Sequence, residues 1–182
     1  MTHHKIIGIA AKARSGKDSV ASVLIENCGY MRYGFSDPIK RALADWMGLS
    51  VIEIEMRKRE DAIRKALQFI GTDVGRKMLG KDIWINYLKP RAMGALKIGY
   101  CVVVPDVRFC NEADAIRDWG GVVWGVRRPN NEDELKGDLA LHASESEVEL
   151  ITPDQMFVND GSVDDLRTAV REAMGVASGK EA

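Results

Sequence analysis

The stretch that decides the fold is Lys5-Ile6-Ile7-Gly8-Ile9-Ala10-Ala11-Lys12-Ala13-Arg14-Ser15-Gly16-Lys17-Asp18-Ser19-Val20. Its first half is apolar and β-branched, as a buried strand requires; its second half turns small and basic, then opens a helical pattern at Val20, Val23 and Leu24. In a strand-loop-helix unit of this kind, loop amides and the positive helix end can cradle phosphate oxygens. The candidate contacts to a nucleotide's phosphates are Lys12, Ala13, Arg14, Ser15, Gly16, Lys17, Asp18 and Ser19. Gly16 permits close backbone approach, and Lys17 can reach between the β and γ groups as a point charge. The match to the phosphate-loop pattern is imperfect. Ala11 stands where the pattern has its first glycine, Asp18 replaces the Ser or Thr that usually ligates magnesium, and Ser19 comes one position late. Magnesium accepts hard carboxylate oxygens, so Asp18 is a candidate metal ligand. A surface turn could carry such a match by accident, but the strand before it and the helix after it favour a phosphate loop.

Outward from the loop, strands and helices alternate. Tyr30 to Phe35 reads as a second strand, and Asp37-Pro38 starts a helix with Ile39, Ala42, Leu43 and Trp46 on one face, stopped by Gly48. A charged helix from near Lys58 buries Ile63, Ala66, Leu67 and Ile70 and is expected to end at Gly71. Trp84, Tyr87 and Leu88 lie on a further helix before Pro90, and Tyr100 to Val104 is the clearest central strand. Glu112 to Trp119 reads as helix, Val122 to Val126 as strand, the polar stretch Arg127 to Glu147 as a mobile loop or short helical lid, Met156 to Val158 as a short strand, and Ser162 with Asp165 as the cap of a last helix. Alternation with short connections predicts a parallel sheet covered on both faces.

At 182 residues the chain is expected to form one domain, and 26 basic against 27 acidic residues give no general drive toward nucleic acid polymers or an acidic membrane surface. No apolar run is long enough to span a bilayer, and the start lacks a signal-peptide layout, so a cytoplasmic location is expected. Cys28, Cys101 and Cys110, without CxxC spacing, read as reduced thiols.

Arg14-Ser15-Gly16-Lys17-Asp18-Ser19 resembles the loop of deoxynucleoside monophosphate kinases of the tailed-phage type. Further stretches fall in that family's order: Ser36-Asp37-Pro38-Ile39-Lys40, Leu67-Gln68-Phe69-Ile70-Gly71-Thr72-Asp73, Trp84, Val104-Pro105-Asp106-Val107-Arg108 with Glu112, Arg128-Pro129, and Val158-Asn159-Asp160-Gly161-Ser162. The resemblance implies a P-loop kinase fold of three α/β layers with a five-stranded parallel sheet, a helical acceptor-binding segment at about residues 37–97 and a lid at about 127–147. It also implies ATP, Mg2+, a deoxynucleoside monophosphate acceptor and a homodimer, in the host cytoplasm if the chain is phage-encoded. Animal-type phosphomevalonate kinases share a similar loop and a strand-end Asp-x-Arg, so another small-molecule phosphate kinase is the alternative, with a non-catalytic nucleotide switch as the third reading.

Several residues admit two roles. Asp106 and Arg108 lie just past the most buried strand, where open parallel sheets place ligands, so Asp106 is read as a magnesium or acceptor ligand and Arg108 as a phosphate clamp. A helix cap and a surface ion pair would be the structural alternatives. Glu112 would serve the acceptor sugar or orient Arg108. Arg64 and Gln68, one turn apart, could present a cation and an amide to the acceptor, or form an ordinary solvated face. By resemblance Gly71, Thr72 and Trp84 contact the acceptor, with Trp84 against its base, although Trp84 also fits a core stripe. Lys40 could hold the acceptor or merely face solvent. Arg128, at the start of the lid, is the candidate cation for the departing γ-phosphoryl, alongside the catalytic candidates Lys17, Asp106 and Arg108.

Overall fold

The computed structural model describes residues 4–129 and 147–176. Most of the segment read as a lid, from 130 to 146, therefore lies outside the described residues. Contacts divide the chain into two compact units, one running to Tyr33 and resuming at Ala92, the other Gly34–Arg91.

The first unit is built on β1 (Ile6–Ala10), β2 (Met31–Arg32), β3 (Val102–Val107), β4 (Val122–Arg127) and β5 (Gln155–Val158). They form one parallel sheet in the order β2-β3-β1-β4-β5. β1 is central and buried at every position, as its apolar sequence predicts. α1 (Lys17–Cys28) and α7 (Val163–Met174) pack on each other over one face, closing a core of Ile7, Ile9, Val20, Leu24, Trp124 and Phe157. α6 (Cys110–Asp118) covers β1 and β4 from the other face. Gly8 makes that approach possible, since a Cβ there would stand 3.0 Å from Val107 and 3.2 Å from Ile116 of α6. The expected three-layer α/β fold with five parallel strands is what the chain adopts. Each fully buried Ile or Val in it contributes roughly 1.5–3 kcal/mol.

Details differ from the sequence reading for identifiable reasons. β3 runs on through Pro105 to Val107, and its pairing with β1 shifts register between Gly8 and Ala10. β2 pairs only with Val102 and Val103, so the missing N–H of Pro105 costs no ladder bond on that side. β2 itself is two residues long rather than the six from Tyr30 to Phe35.

The second unit contains α2 (Asp37–Met47), α3 (Val51–Arg57), α4 (Asp61–Gln68), a π-helix (Phe69–Leu79) and the start of α5 (Ile83–Lys97). Ile39, Leu43, Ala44, Ile54, Ile63 and Ile70 make its core. α2 ends at Gly48, φ 64°, as expected. α3 was not anticipated, though Ser50 and Glu53 form a capping box that marks its start. Gly71 does not stop the helix. The chain continues as the π-helix and turns at Gly80, φ 123°, which no other residue adopts cheaply. α5 likewise passes Pro90 instead of ending there, with Leu88, Ala92 and Ala95 all buried. Cys28, Cys101 and Cys110 are free thiols, each half-buried. No helix among the described residues is long and apolar enough to cross a membrane.

Candidate active site

In a parallel sheet all strand ends of one sense share an edge, so the loop after β1 lies on the same edge as the ends of β3, β4 and β5. The loop takes a conformation that demands its residues. Gly16 has φ 105° directly before the first residue of α1, and Arg14, φ 61°, is the one non-glycine with positive φ among the described residues. An arginine held there costs of order 1–3 kcal/mol, strain of the kind that clusters at ligand sites. Ser15 is 2% exposed, and its Oγ has no hydrogen-bond partner among the described residues. A buried hydroxyl left unpaired costs about 1–3 kcal/mol, and an anion's oxygen would relieve it. Lys17 Nζ stands 2.9 Å from Asp18 Oδ1 at the helix start. Lys12 is ion-paired with Glu149, in the short 3-10 turn Val148–Leu150.

Asp106 falls in the stretch of β3 where the pairing shifts, and a bulge is the usual device for re-aiming a strand-end side chain. Arg108 follows, half-buried. Glu112 is 2% exposed, and its Oε2 accepts from the backbone N–H of Arg108 at 2.9 Å and of Phe109 at 3.2 Å. From the third position of α6 its side chain thus reaches back to the N-cap, Phe109, and fixes the backbone that carries Arg108. Arg127 and Arg128, both exposed, close β4. They line a cavity of about 250 Å³ together with Ala11, Lys12, Ser15 and Glu149. Sequence reasoning missed Glu149 as a partner of the loop, because nothing in a charged, weakly periodic stretch marks it. It also assigned no role to Asn159, although the polar run after β5 could have drawn attention to it.

Among the described residues no three His, Cys, Asp or Glu side chains converge as a metal site. Asp18 and Asp106 offer hard oxygens singly, a donor set that suits magnesium, which usually takes one or two carboxylates and completes its shell with phosphate oxygens and water.

The second unit holds the other candidates. Arg64 pairs with Asp61 through Nη2, while its Nη1 is buried with no partner among the described residues. Gln68 ends α4, and Gly71 and Thr72 lie in the π-helix that follows. Trp84 Nε1 donates to the Gly71 carbonyl at 2.9 Å. Its ring fills the space where a Cβ on Gly75 would sit, 2.2 Å from Cζ2. Lys40 is committed to Glu55 at 2.7 Å, and Lys58 shares that carboxylate. Burial would raise the Glu55 pKa, but hydrogen bonds and charge from Lys40 and Lys58 outweigh it and hold the carboxyl at about 2. Arg41 Nη1 donates to Tyr87 Oη at 2.6 Å, and the Arg91 guanidinium lies 3.7 Å from that ring's centre, an arrangement no motif announced.

Sheet order, loop and helix start together define a three-layer α/β protein whose central parallel strand runs through a tight loop into a helix. A sugar kinase from Janibacter sp. HTCC2649 in unliganded form shares the fold, with TM-score 0.54 and 13% identity over 96% of each chain. So does TT1252 from Thermus thermophilus, with TM-score 0.53 and 18% identity over 98% of this chain and 100% of that one. The deoxynucleotide monophosphate kinase family model matches residues 5–59 and 48–170, and the chain belongs to that family. A provisionally named deoxynucleotide monophosphate kinase of Acanthamoeba polyphaga mimivirus is 31% identical over 95% of this chain and 97% of its own length. The deoxynucleotide monophosphate kinase of Enterobacteria phage T4 is 26% identical over 63% of this chain, and the match spans 46% of the T4 protein. The chain is accordingly a nucleotide-using phosphotransferase.

Proposed function

We propose that this protein transfers the γ-phosphoryl group of ATP to a deoxynucleoside monophosphate, giving the diphosphate and ADP. The observation that carries the reading is the strained loop Lys12 to Ser19 at the end of the central strand, with a buried Ser15 hydroxyl that has no partner among the described residues, in a chain of this family.

The acceptor phosphate has a second pKa near ~6, so it is largely dianionic at neutral pH and needs no strong general base. Catalysis then rests on alignment and charge neutralisation. Loop amides and Lys17 hold the β and γ groups, while Arg108 and Arg128 offset charge on the transferring phosphoryl. Arg108 is placed by Glu112 through its backbone. Asp18 and Asp106 would hold magnesium, which would supply further charge neutralisation on the phosphates. Arg64, with one guanidinium nitrogen uncommitted among the described residues, takes the acceptor phosphate. Gln68, Gly71, Thr72 and Trp84 contact its nucleoside, and Lys40, ion-paired with Glu55, helps hold the acceptor. The protein works as a homodimer in the cytoplasm, with no nucleic acid polymer as partner.

A coupled assay across the four deoxynucleoside monophosphates, two ribonucleotides and phosphomevalonate tests the assignment. Turnover on deoxynucleotides is expected; turnover on phosphomevalonate alone would replace the acceptor, and ATP binding without transfer to any acceptor would make the chain a switch.

A further inference from the structure

Asn159 follows β5 and is 5% exposed, so its side-chain amide must find partners inside the protein. Its backbone N–H donates to the Arg127 carbonyl at 2.7 Å, and its Nδ2 donates to the Ser15 carbonyl at 2.9 Å, across 144 residues of sequence. One residue therefore ties the phosphate loop to the strand end that carries Arg127 and Arg128.

The bond to Ser15 has a directional consequence. The peptide between Ser15 and Gly16 is planar and trans, so its C=O and N–H point in opposite directions. Anchoring the oxygen on Asn159 sends the Gly16 N–H to the other side of the loop. Neither that N–H nor the N–H of Lys17 has an acceptor among the described residues. The contact is also sterically exclusive, because a Cβ on Gly16 would lie 2.7 Å from Asn159 Nδ2 and 2.9 Å from Leu166 Cδ2. Gly16 and Asn159 are thus a matched pair.

We infer that Asn159 is a positioning residue that fixes the Ser15–Gly16 peptide so that its N–H is preset as a donor to the phosphate chain of the bound nucleotide. This rests on the phosphotransferase reading, and it gives the residue that follows β5 a part in donor binding. Without the amide, the Ser15 carbonyl loses its buried partner and the peptide can rotate. Every contact along the phosphate chain then pays for reordering it.

Two variants test this, Asn159→Ala and the isosteric Asn159→Asp, which puts a carboxylate with no donor against the Ser15 carbonyl. Leu166→Ala is the packing control, since Leu166 also abuts Gly16 but makes no polar contact with the loop. Inorganic tripolyphosphate binding by calorimetry is read beside steady-state kinetics and melting temperature. The expected result is a loss of tripolyphosphate affinity and a rise in the KM for ATP of about tenfold or more in both Asn159 variants, with the acceptor KM within about twofold of wild type. Leu166→Ala is expected to melt earlier yet keep tripolyphosphate affinity. Wild-type affinity in the Asn159 variants, an equal loss in Leu166→Ala, or failure of both Asn159 variants to fold would overturn the inference. A wild-type protein that binds no tripolyphosphate would overturn the phosphate-loop reading as well, which keeps the two failures distinct.

Discussion

Trp84 caps the Gly71 carbonyl with its indole N–H across 2.9 Å, and its six-membered ring occupies the space that Gly75 leaves open. A π-helix frees and re-aims carbonyls relative to an α-helix and is commonly found at functional sites. Trp84 therefore supports the segment that bears Gly71 and Thr72, and it is proposed to face the acceptor base as well.

The two roles separate by substitution. Trp84→Phe keeps an aromatic face but deletes the N–H, so the melting temperature should fall by about 2–4 °C for roughly 1 kcal/mol, with base preference retained. Trp84→Leu should lose stability and also change the relative KM among deoxynucleotides. Unchanged preference in the Leu variant would confine Trp84 to support of the π-helix.

Gly75→Ala must displace the Trp84 ring and is expected to destabilise by about 1–3 kcal/mol. Gly94→Ala supplies the opposite sign. Gly94 is exposed inside α5 with nothing within 4 Å of an added Cβ, so alanine should stabilise by about 0.5–1 kcal/mol. Denaturant midpoints of the two variants check both signs.

Much of the first unit could be read from the chain because its signals are local. An apolar run gives β1, small and basic residues give the loop, and Ser162 with Asp165 caps α7 as expected. The second unit was less legible. Gly71 has the form of a helix stop, yet the helix continues, and the partner of its carbonyl, Trp84, lies thirteen residues on. Likewise the Asn159 contact with Ser15 spans almost the whole chain, and no local pattern encodes such a pairing. Lys40 is a further case: its place near Ser36-Asp37-Pro38 suggests acceptor binding, and its ion pair with Glu55 is one that the local sequence does not announce.

Glu55 gives a pH signature. Its folded-state pKa of about 2 lies below the ordinary glutamate value near ~4.3, so its contribution is present above that value and is lost as pH falls toward 2. The carboxylate side chain is 42% exposed, which limits the effect to a few tenths up to about 1 kcal/mol. Glu55→Gln should flatten the stability-versus-pH curve of the wild type between about pH 4.5 and 2, as measured by urea unfolding. An unchanged slope would mean that Lys40 and Lys58 do not hold the carboxylate in solution.

Asp18→Ala removes a carboxylate beside Lys17 at the start of α1. The magnesium concentration for half-maximal rate should rise, since the metal loses a hard ligand. A superimposable magnesium titration would pass that role to Ser19 or Asp106.

The most direct test of the central claim follows labelled γ-phosphoryl from ATP in a single turnover, with wild type and Lys17→Met side by side. Label is expected at the β position of a deoxynucleoside diphosphate, with a rate lower by orders of magnitude in a Lys17→Met protein whose fold is intact. Label released only as inorganic phosphate, or an undiminished rate in the folded variant, would contradict it.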